Sequence, residues 1–531
     1  MSVWQRPDAL HERKSKVSEA RIHARNLVAN WFGHIANLVV MFFLSPFIVH
    51  TLGKTEYGIW GLLGVLTGYM GLFDLGVRAS TGRYIILYLG RQDTARLDET
   101  IRTGLTFFSL LGLLVLAGGF VIGLGFPYFF PSSPEEYRSL VAVLLPVLAV
   151  NVWLALLGAT FSSILTAHDR FDLAQAVDLG VLAVRTVGTI AALKWGYGLL
   201  GLTAVTVGCS LLALAANCVM ARRIYGRLRV WPPALPWARL RELFGYGIAA
   251  SIATVAYKII GQTDLIIVGA LISVGAVTVY SVGAMLVYYS ETLVGKISVT
   301  LWPATQRAAA RGETGSVRWY YLRQVRMGLV CGIPLYIGFI IFGQRFIRLW
   351  MEGPEFSGTA VAEAAIVMAI LSASKLVYLP ATGAEPLLDA MGRIKSVAAV
   401  AVVEAVINLG LSIFFVLVTG WGLAGVAAGT LASRMLVRGW VVPWMALRQA
   451  GLSYRSFFKV AAVGLGAGAA FAAWCYLVKT LIPAESWLLF AVQVALALVG
   501  YAPIAFLLLI SEADRRRVFQ TLRAVTARGG T

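Results

Sequence analysis

The 531-residue sequence contains little charge for its length. Only 13% of its residues are charged and 59% are hydrophobic, whereas roughly a quarter of the residues in a soluble globular domain are charged. This composition excludes a soluble globular protein. It predicts a polytopic membrane protein built from apolar helices.

Residues that bind metals or act as nucleophiles are also scarce. The sequence has four cysteines and five histidines, with no CxxC pair and no Ser/His/Asp, zinc or phosphate-loop arrangement. The glycine-rich stretch 464–470 has no preceding strand, so it does not indicate a nucleotide-binding loop. The cysteines lie in apolar segments and are interpreted as small core residues. We therefore expect no catalytic residues, no metal site and no enzymatic activity.

Acidic residues are few, with 26 Asp and Glu against 45 Lys and Arg, a net charge of +19. In a membrane protein the distribution of these charges between loops matters more than their sum, so we expect no nucleic-acid partner. The first 26 residues are charged throughout and lack an apolar region with a cleavage site, which predicts a basic N-terminal tail and no signal peptide.

Apolar runs long enough to cross about 30 Å of hydrocarbon as helices occur fourteen times. We number them TM1 to TM14, and they cover 27–49, 58–78, 102–125, 139–166, 173–193, 197–220, 243–271, 276–302, 327–344, 359–383, 396–418, 421–446, 458–480 and 486–510. Lys and Arg concentrate in the N-terminal tail, in every second loop and in the C-terminal tail. Since cytoplasmic loops are enriched in Lys and Arg, both termini are predicted to be cytoplasmic.

Three motifs recur at nearly constant spacing. GYGLLG (196–201) recurs as GWGLAG (420–425), ILTAHDRF (164–171) as LLDAMGRI (387–394), and more weakly Leu52-Gly53 as Val274-Gly275. The offset of 222 to 224 residues spans six predicted helices, so the repeats should have the same membrane orientation. The predicted organisation is a cytoplasmic N-tail 1–26, an N-lobe 27–224, a basic linker 225–242, a C-lobe 243–450, two further helices in 451–511 and a cytoplasmic tail 512–531.

Several stretches together resemble a known family of exporters. They are LGKTEYGIW (52–60) with FDLGVRASTGR (73–83), DLIIVG (264–269), LWP (301–303), LLDAMGRIK (387–395), and NLGLSIFF (408–415) with GWGLAGVAAGT (420–430). In this order and spacing they resemble the polysaccharide transporter family, the Wzx-type O-antigen and capsule flippases. That family belongs to the multidrug/oligosaccharidyl-lipid/polysaccharide (MOP) superfamily.

The resemblance implies an all-α inner-membrane protein of the MATE and MurJ type, with two six-helix lobes around a central cavity. It also implies a flippase that carries polyprenyl-pyrophosphate-linked oligosaccharide from the cytoplasmic to the periplasmic leaflet by alternating access. The two C-terminal helices would border a groove for the lipid tail, and a polysaccharide polymerase is a possible partner. No cofactor is expected beyond an H⁺ or Na⁺ gradient.

Charged residues inside predicted membrane segments are costly and indicate functional sites. Cations there would bind an anionic headgroup, together with a polar stripe on TM1 at helical spacing. The candidate headgroup residues are Lys258, Lys296, Lys375, Arg185, Arg78, Asn30, His34 and Asn37. Hydrogen bonding between helices is the alternative interpretation of the stripe, and the cavity lining is favoured over it.

Acids in the membrane are candidates for ion coupling or for structural pairing. They are Asp74, Asp178, Asp264, Glu291 and Glu404. Asp74 and Arg78 are four residues apart and would pair on one helical face. Lys258 with Asp264 and Asp178 with Arg185 are further candidate pairs, while Glu291 and Lys296 fit one face less well.

Three other functions remain open. A multidrug cation exporter of the same superfamily would need a negatively charged cavity, whereas TM7, TM8 and TM10 each contain a lysine. A lipid II flippase would have the same fold and a similar anionic substrate. A polytopic glycosyltransferase or polymerase would need long loops with catalytic carboxylates, and the outward loops around 126–138 and 345–358 are short.

Overall fold

The computed structural model describes the backbone of residues 7–226, 228, 230–451, 453–512, 514–516 and 520. Side chains are described from Phe32 onward, except at 246, 248–250, 253, 297–299, 394 and 456 within the helices. The predicted C-terminal tail 512–531 therefore lies mostly outside the described residues.

Every regular element within these ranges is helical, as the all-α prediction requires. The α-helices are α1 (Pro7–Met70), α2 (Val77–Gly90), α3 (Thr94–Phe129), α4 (Glu135–Ala167), α5 (Phe171–Lys194), α6 (Gly198–Ile224), α7 (Trp237–Leu271), α8 (Val274–Val299), α9 (Trp302–Ala310), α10 (Thr314–Met351), α11 (Thr359–Tyr378), α12 (Ala384–Ala390), α13 (Ile394–Leu417), α14 (Gly422–Ser433), α15 (Val441–Ala450), α16 (Tyr454–Leu481) and α17 (Trp487–Ile504). Short 3₁₀ turns cover Gly71–Asp74 and Leu379–Ala381, and π-helical turns cover Arg434–Arg438 and Ala505–Leu509.

The fourteen predicted membrane segments all overlap these helices, although TM2 crosses the break at Leu75 and Gly76. Among the described residues, eleven helical stretches are long and apolar enough to cross a membrane. One of them, Phe32–Asp74, contains both TM1 and TM2 because α1 continues through a kink. TM8 lies on α8, and TM12 is divided between α14, the π-helical turn Arg434–Arg438 and α15. The polytopic helical fold is confirmed.

Two glycines determine the course of the chain between TM1 and α2. Gly53 has φ 75° and ψ 175°, which kinks α1 where the sequence predicts a turn. Further on, Leu75 (φ 47°) and Gly76 (φ 75°) are left-handed and end the helix before α2 begins. A Cβ at Gly76 would lie 2.3 Å from the Gly247 carbonyl oxygen, so this close approach needs glycine.

This break corrects one prediction. Asp74 and Arg78 do not lie on one continuous helical face, because the left-handed residues 75 and 76 separate the 3₁₀ turn from α2. Their side chains still meet, with Arg78 Nε 3.7 Å from Asp74 Oδ2. The Asp74 carboxylate also accepts a hydrogen bond from the Gly76 amide at 3.0 Å, so it stabilises the turn itself.

The sequence repeat is matched by the backbone. Gly196 and Gly198 have φ 79° and 49°, and their counterparts Gly420 and Gly422 have φ 70° and 54°. In the second motif Asp169 (φ 57°) corresponds to Gly392 (φ 71°). Repeated motifs therefore form the same left-handed turn at equivalent helix ends, as an internal duplication predicts.

Close packing divides the chain into two units. The first contains the chain up to Leu52 together with Leu62–Ser251, and the second contains Gly53–Gly61 together with the chain from Ile252 onward. The stretch Gly53–Gly61 was predicted to belong to the N-lobe, but it packs within the second unit. A Cβ at Gly58 would lie 2.0 Å from the Val274 carbonyl oxygen. The Thr278 hydroxyl donates to the Lys54 carbonyl at 2.6 Å.

In the first unit, a polar cluster holds the first turns of α7 and Tyr225, which follows α6. Arg239 Nη1 donates to the Tyr88 hydroxyl at 2.7 Å, and Arg239 Nη2 lies 2.8 Å from Glu99 Oε2. The Tyr88 hydroxyl donates to Glu242 at 2.9 Å, and the Tyr225 hydroxyl donates to Asp98 at 2.9 Å. The region predicted as the linker 225–242 thus packs against α2 and α3.

In the second unit, two glycines bring α13 and α14 into close contact. A Cβ at Gly429 would lie 2.6 Å from the backbone nitrogen of Ser412, and one at Gly425 would lie 3.2 Å from the backbone of Phe415. Small residues four apart allow this backbone approach between membrane helices. The contact places Thr430 of α14 beside Asn408 of α13, with Asn408 Nδ2 donating to the Thr430 hydroxyl at 2.9 Å.

Candidate functional site

The second unit contains a cavity of about 330 Å³ lined by charged residues and tyrosines. Its polar lining is Tyr257, Tyr288, Glu291, Lys375, Tyr378, Glu385, Thr430, Arg434 and Arg438. We call this space the charged cavity. A neighbouring cavity of about 210 Å³ shares Glu291, Lys375, Tyr378 and Glu385 with it.

Glu291 of α8 joins two buried cations. Lys375 Nζ of α11 bonds directly to Glu291 Oε2, and Arg434 Nη1 lies 3.6 Å from Glu291 Oε1. The side chains of Lys375 and Arg434 are only 4% and 5% exposed, whereas that of Glu291 is 40% exposed. The carboxylate therefore covers both cations on the side of the charged cavity.

A second carboxylate, Glu404 of α13, pairs with both arginines from a position outside the charged cavity. Glu404 Oε2 accepts from Arg438 Nε at 2.6 Å, and its Oε1 lies 3.7 Å from Arg434 Nε. The Glu404 side chain is fully buried and does not line the charged cavity. A charge buried in this way is tolerated only when it is paired and hydrogen-bonded. Glu404 therefore stabilises the positions of both arginines.

Glu385 and the tyrosines complete the network. Arg438 Nη1 lies 3.3 Å from Glu385 Oε1, and the Tyr257 hydroxyl donates to Glu385 Oε2 at 3.0 Å. The Arg438 guanidinium also lies over the Tyr257 ring at 4.8 Å, and Lys375 lies over the Tyr288 ring at 5.3 Å. Such cation–π contacts compensate in part for the loss of hydration around buried cations.

A separate group of buried oxygens surrounds Asp264 of α7. Asp264 Oδ2 accepts from the Tyr280 hydroxyl at 2.6 Å and from the Thr430 hydroxyl at 3.1 Å. Asp264 Oδ1 and Asn408 Oδ1 have no hydrogen-bond partner among the described residues, and both side chains are buried. Unsatisfied buried acceptor oxygens are costly alone and fit a small hard cation or a proton.

The other predicted site residues lie elsewhere. In the second unit, Lys258 is half-buried on α7 and Lys296 is half-buried near the end of α8. In the first unit, Arg185 is half-buried and Asp178 is exposed on α5, and none of the ion pairs found within the described ranges joins them. His34 and Asn37 are half-buried on α1, and the side chain of Asn30 lies outside the described residues.

Sequence reasoning missed three members of the charged network. Arg434 and Arg438 were not among the candidate site residues, yet they are only 4% and 6% exposed within the second unit. Their burial could have been predicted, because both arginines lie inside the apolar run 421–446, and their spacing of four places them on one helical face. Glu385 lies in the short helix α12, where no apolar run drew attention to it.

The long apolar helices and the buried charged network define a polytopic helical membrane protein. The fold resembles an inward-facing multidrug resistance MATE family transporter of the MOP superfamily, with a TM-score of 0.67 and 14% identity over 79% of this chain and 98% of that chain. It also resembles the lipid II flippase MurJ in an inward closed conformation, with a TM-score of 0.66 and 14% identity over 91% of this chain and 98% of that one. The predicted MATE- and MurJ-like architecture is confirmed.

The sequence model of the family described as "Lipid II flippase MurJ" matches residues 90–504, so this chain belongs to the MurJ family of flippases. A curated relative is the putative O-antigen transporter of Shigella flexneri, 20% identical over 431 residues, which are 80% of this chain and 97% of that protein. The MOP-superfamily resemblance drawn from the sequence is thus confirmed. The family consists of transporters that act on lipid-linked substrates in the membrane.

Proposed function

We propose that this protein moves polyprenyl-pyrophosphate-linked oligosaccharide from the cytoplasmic to the periplasmic leaflet by alternating access, for the synthesis of cell-surface polysaccharide. The observation that carries the proposal is the charged cavity, where Lys375, Arg434 and Arg438 meet inside a membrane-spanning unit. A pyrophosphate headgroup leaving water needs fixed cations and hydrogen-bond donors in place of its hydration. The name of the Shigella relative points to the same class of cargo.

The donors in the cavity favour an anion over an organic cation. Arg434 Nε and Nη1 and the Tyr288 hydroxyl have no hydrogen-bond partner among the described residues. A phosphate oxygen in the cavity can accept from Arg434 Nη1 and from the Tyr288 hydroxyl, whereas the charged group of an organic cation cannot accept from either. This argues against the multidrug exporter alternative.

The size of the cavity limits what it holds. Pockets for small molecules range over about 300–1,000 Å³, and the charged cavity, at about 330 Å³, lies at the lower end. It can accept a phosphate group but not an oligosaccharide. We therefore propose that the sugars contact the other candidate headgroup residues, namely Lys258, Lys296, Arg185, Arg78, Asn30, His34 and Asn37, and that α16 and α17 border the lipid tail.

We further propose that an H⁺ or Na⁺ gradient drives the cycle through Asp264. The unpartnered oxygens of Asp264 and Asn408, with the Thr430 hydroxyl between them, offer acceptors for either ion. Glu291 and Glu404 already pair with buried cations, which favours structural or headgroup roles for them. Asp74 caps a turn, and Asp178 is exposed on α5.

The cellular setting follows from this proposal. Both termini would face the cytoplasm of a bacterial cell, with the protein in the inner membrane, since the basic residues concentrate on one set of alternating loops. A polysaccharide polymerase would accept the cargo on the other side. The connections 130–134 and 352–358 between membrane helices are too short to carry a catalytic domain of this protein's own.

The test is transbilayer movement of a fluorescent polyprenyl-pyrophosphate oligosaccharide in proteoliposomes under an imposed pH or Na⁺ gradient. The parent is compared with Lys375→Gln, with Lys258→Ala plus Lys296→Ala, and with the matched control Lys479→Gln, whose Nζ bonds the Ile341 carbonyl away from the cavity. We expect movement by the parent and the control, loss in Lys375→Gln, which changes the charged cavity, and loss in Lys258→Ala plus Lys296→Ala, which changes the proposed sugar contacts. A parent that moves no lipid-linked sugar but exports organic cations would refute the proposal.

Lipid II is the second candidate cargo, because the matching family is described by that substrate. It has a polyprenyl-pyrophosphate headgroup of the same anionic class, so the charged cavity does not separate the two cargoes. The initial rate of transbilayer movement, measured in the same proteoliposomes for fluorescent lipid II and for the fluorescent lipid-linked oligosaccharide, decides between the two cargoes.

A further inference from the structure

Glu291 occupies an unusual position in the charged network. Its carboxylate bonds to Lys375 and lies 3.6 Å from Arg434 Nη1, yet its side chain is 40% exposed while the two cations are 4–5% exposed. It is thus the most exposed of the charged side chains in this cluster. A side chain in this position can leave the cluster without opening the packed interior.

The donors beneath Glu291 are incompletely satisfied. The contacts of Arg434 to Glu291 and Glu404 are 3.6 and 3.7 Å long, beyond hydrogen-bonding distance. Arg434 Nε, Arg434 Nη1 and the Tyr288 hydroxyl therefore have no hydrogen-bond partner within the described part of the chain. Buried donors without acceptors are rare and call for a ligand or another explanation.

The charges of the network decide how an anion can enter. Lys375, Arg434 and Arg438 are matched by three carboxylates, Glu291, Glu385 and Glu404. A multivalent anion added to this balanced, poorly hydrated cluster would be repelled by the carboxylates. Entry therefore requires that one carboxylate leave.

Only Glu291 is suited to leave. Glu404 is fully buried behind the arginines, and Glu385 is 23% exposed and held by both Arg438 and Tyr257. Glu291 is the most exposed of the three, and its departure uncovers both Lys375 Nζ and Arg434 Nη1.

We propose that Glu291 is an internal stand-in for the anionic group of the cargo. On binding, an oxyanion of the cargo displaces the Glu291 carboxylate from Lys375 and Arg434 and accepts a hydrogen bond from the Tyr288 hydroxyl. This inference rests on the proposed function and adds to it the residue that keeps the empty site neutral. A phosphate of the lipid and a carboxylate of an acidic sugar share this chemistry, and the experiment separates them.

The experiment measures binding by isothermal titration calorimetry with the full chain in detergent. The probes are inorganic pyrophosphate and glucuronate, and flipping by the parent is assayed in parallel. Glu291→Gln removes the competing charge, and we expect about tenfold tighter pyrophosphate binding. Glu363→Gln makes the same charge change at an exposed position of α11 outside the cavity and should bind like the parent.

Tyr288→Phe provides a second, independent variant. Its hydroxyl has no hydrogen-bond partner among the described residues, so its removal should leave thermal unfolding unchanged. If the hydroxyl binds the displacing anion, affinity falls about tenfold. A purely structural role for Tyr288 predicts no change in affinity.

The outcomes test the stand-in role of Glu291 and the proposed function separately. Tighter binding by Glu291→Gln and weaker binding by Tyr288→Phe, with either probe, supports displacement, and the responding probe identifies phosphate or carboxylate as the source. If the parent flips lipid-linked sugar but Glu291→Gln binds both probes no more tightly than Glu363→Gln, the stand-in role is refuted and the proposed function stands. If the parent flips no lipid, the proposed function fails whatever the calorimetry shows.

Discussion

Glu404 offers a direct test of how the charged network is held together. Its carboxylate lies 2.6 Å from Arg438 Nε and 3.7 Å from Arg434 Nε, and it is fully buried. With an effective dielectric constant of about 20, these distances correspond to Coulomb attractions of about 6 and 4 kcal/mol. Most of that attraction offsets the desolvation of the three ions, which costs several kcal/mol per ion.

Replacing Glu404 by Gln removes the attraction but leaves both arginines buried. Breaking a buried ion pair from one side costs about 3–5 kcal/mol, because the remaining charge keeps its desolvation penalty. We therefore expect Glu404→Gln to lower the free energy of unfolding by about that amount. The assay is denaturant-induced unfolding of purified protein in mixed micelles, followed by tryptophan fluorescence.

Two further variants make the result decisive. Glu363→Gln changes the same charge at an exposed site and should stay within about 0.5 kcal/mol of the parent. The double variant Glu404→Gln plus Arg438→Gln removes both members of the closest pair and should recover part of the loss, giving a coupling of about 1–3 kcal/mol. If Glu404→Gln were as stable as Glu363→Gln, the network would not be held by Glu404, and our account of the arginine positions would be wrong.

Three further predictions concern other parts of the chain. Asp264→Asn should abolish the dependence of the flipping rate on the imposed gradient. The affinity for pyrophosphate, measured by calorimetry on the same preparation, should change less than threefold, which is about 0.6 kcal/mol. Gly429→Leu should lower thermal stability strongly, since its Cβ would lie 2.6 Å from the backbone nitrogen of Ser412, and Gly429→Ala should do so less. Tyr88→Phe leaves Arg239 Nη1 without one acceptor and should cost about 1 kcal/mol of unfolding free energy without lowering the flipping rate.

Much of the fold could be predicted from local sequence because the bilayer imposes a length and a polarity on each helix. The apolar runs coincide with helices, eleven described stretches of which are long and apolar enough to cross a membrane, and the repeated motifs identified turns that share a left-handed backbone, such as Gly196 with Gly420. The continuity of α1 through Gly53 and the helix break at Leu75 were not predictable in this way. Both depend on close backbone contacts with distant residues, such as Gly76 with Gly247.

The candidate site was less predictable because the partners of its charges are distant in sequence. Glu291 and Lys375 stood out as charges in apolar segments, but the one candidate partner considered for Glu291 was Lys296 on the same helix, whose spacing fits one face poorly. The structure pairs Glu291 with Lys375, 84 residues away on α11. Spacing along one helix identifies residues on a common face, whereas buried charges are paired by packing between helices.

The charge of the cavity needs a different argument from the one the sequence suggested. Counting lysines favoured an anionic cargo, but Lys375 has a carboxylate partner, and the network around it contains as many carboxylates as cations. Net charge alone therefore does not separate an anion site from a cation site here. Hydrogen-bonding capacity does separate them, since two nitrogens of Arg434, Nε and Nη1, have no acceptor in the part of the chain that the structure describes, and a guanidinium cannot act as an acceptor itself. A cargo that supplies oxygen acceptors, and displaces one exposed carboxylate as it does so, satisfies both the charges and the donors of this site.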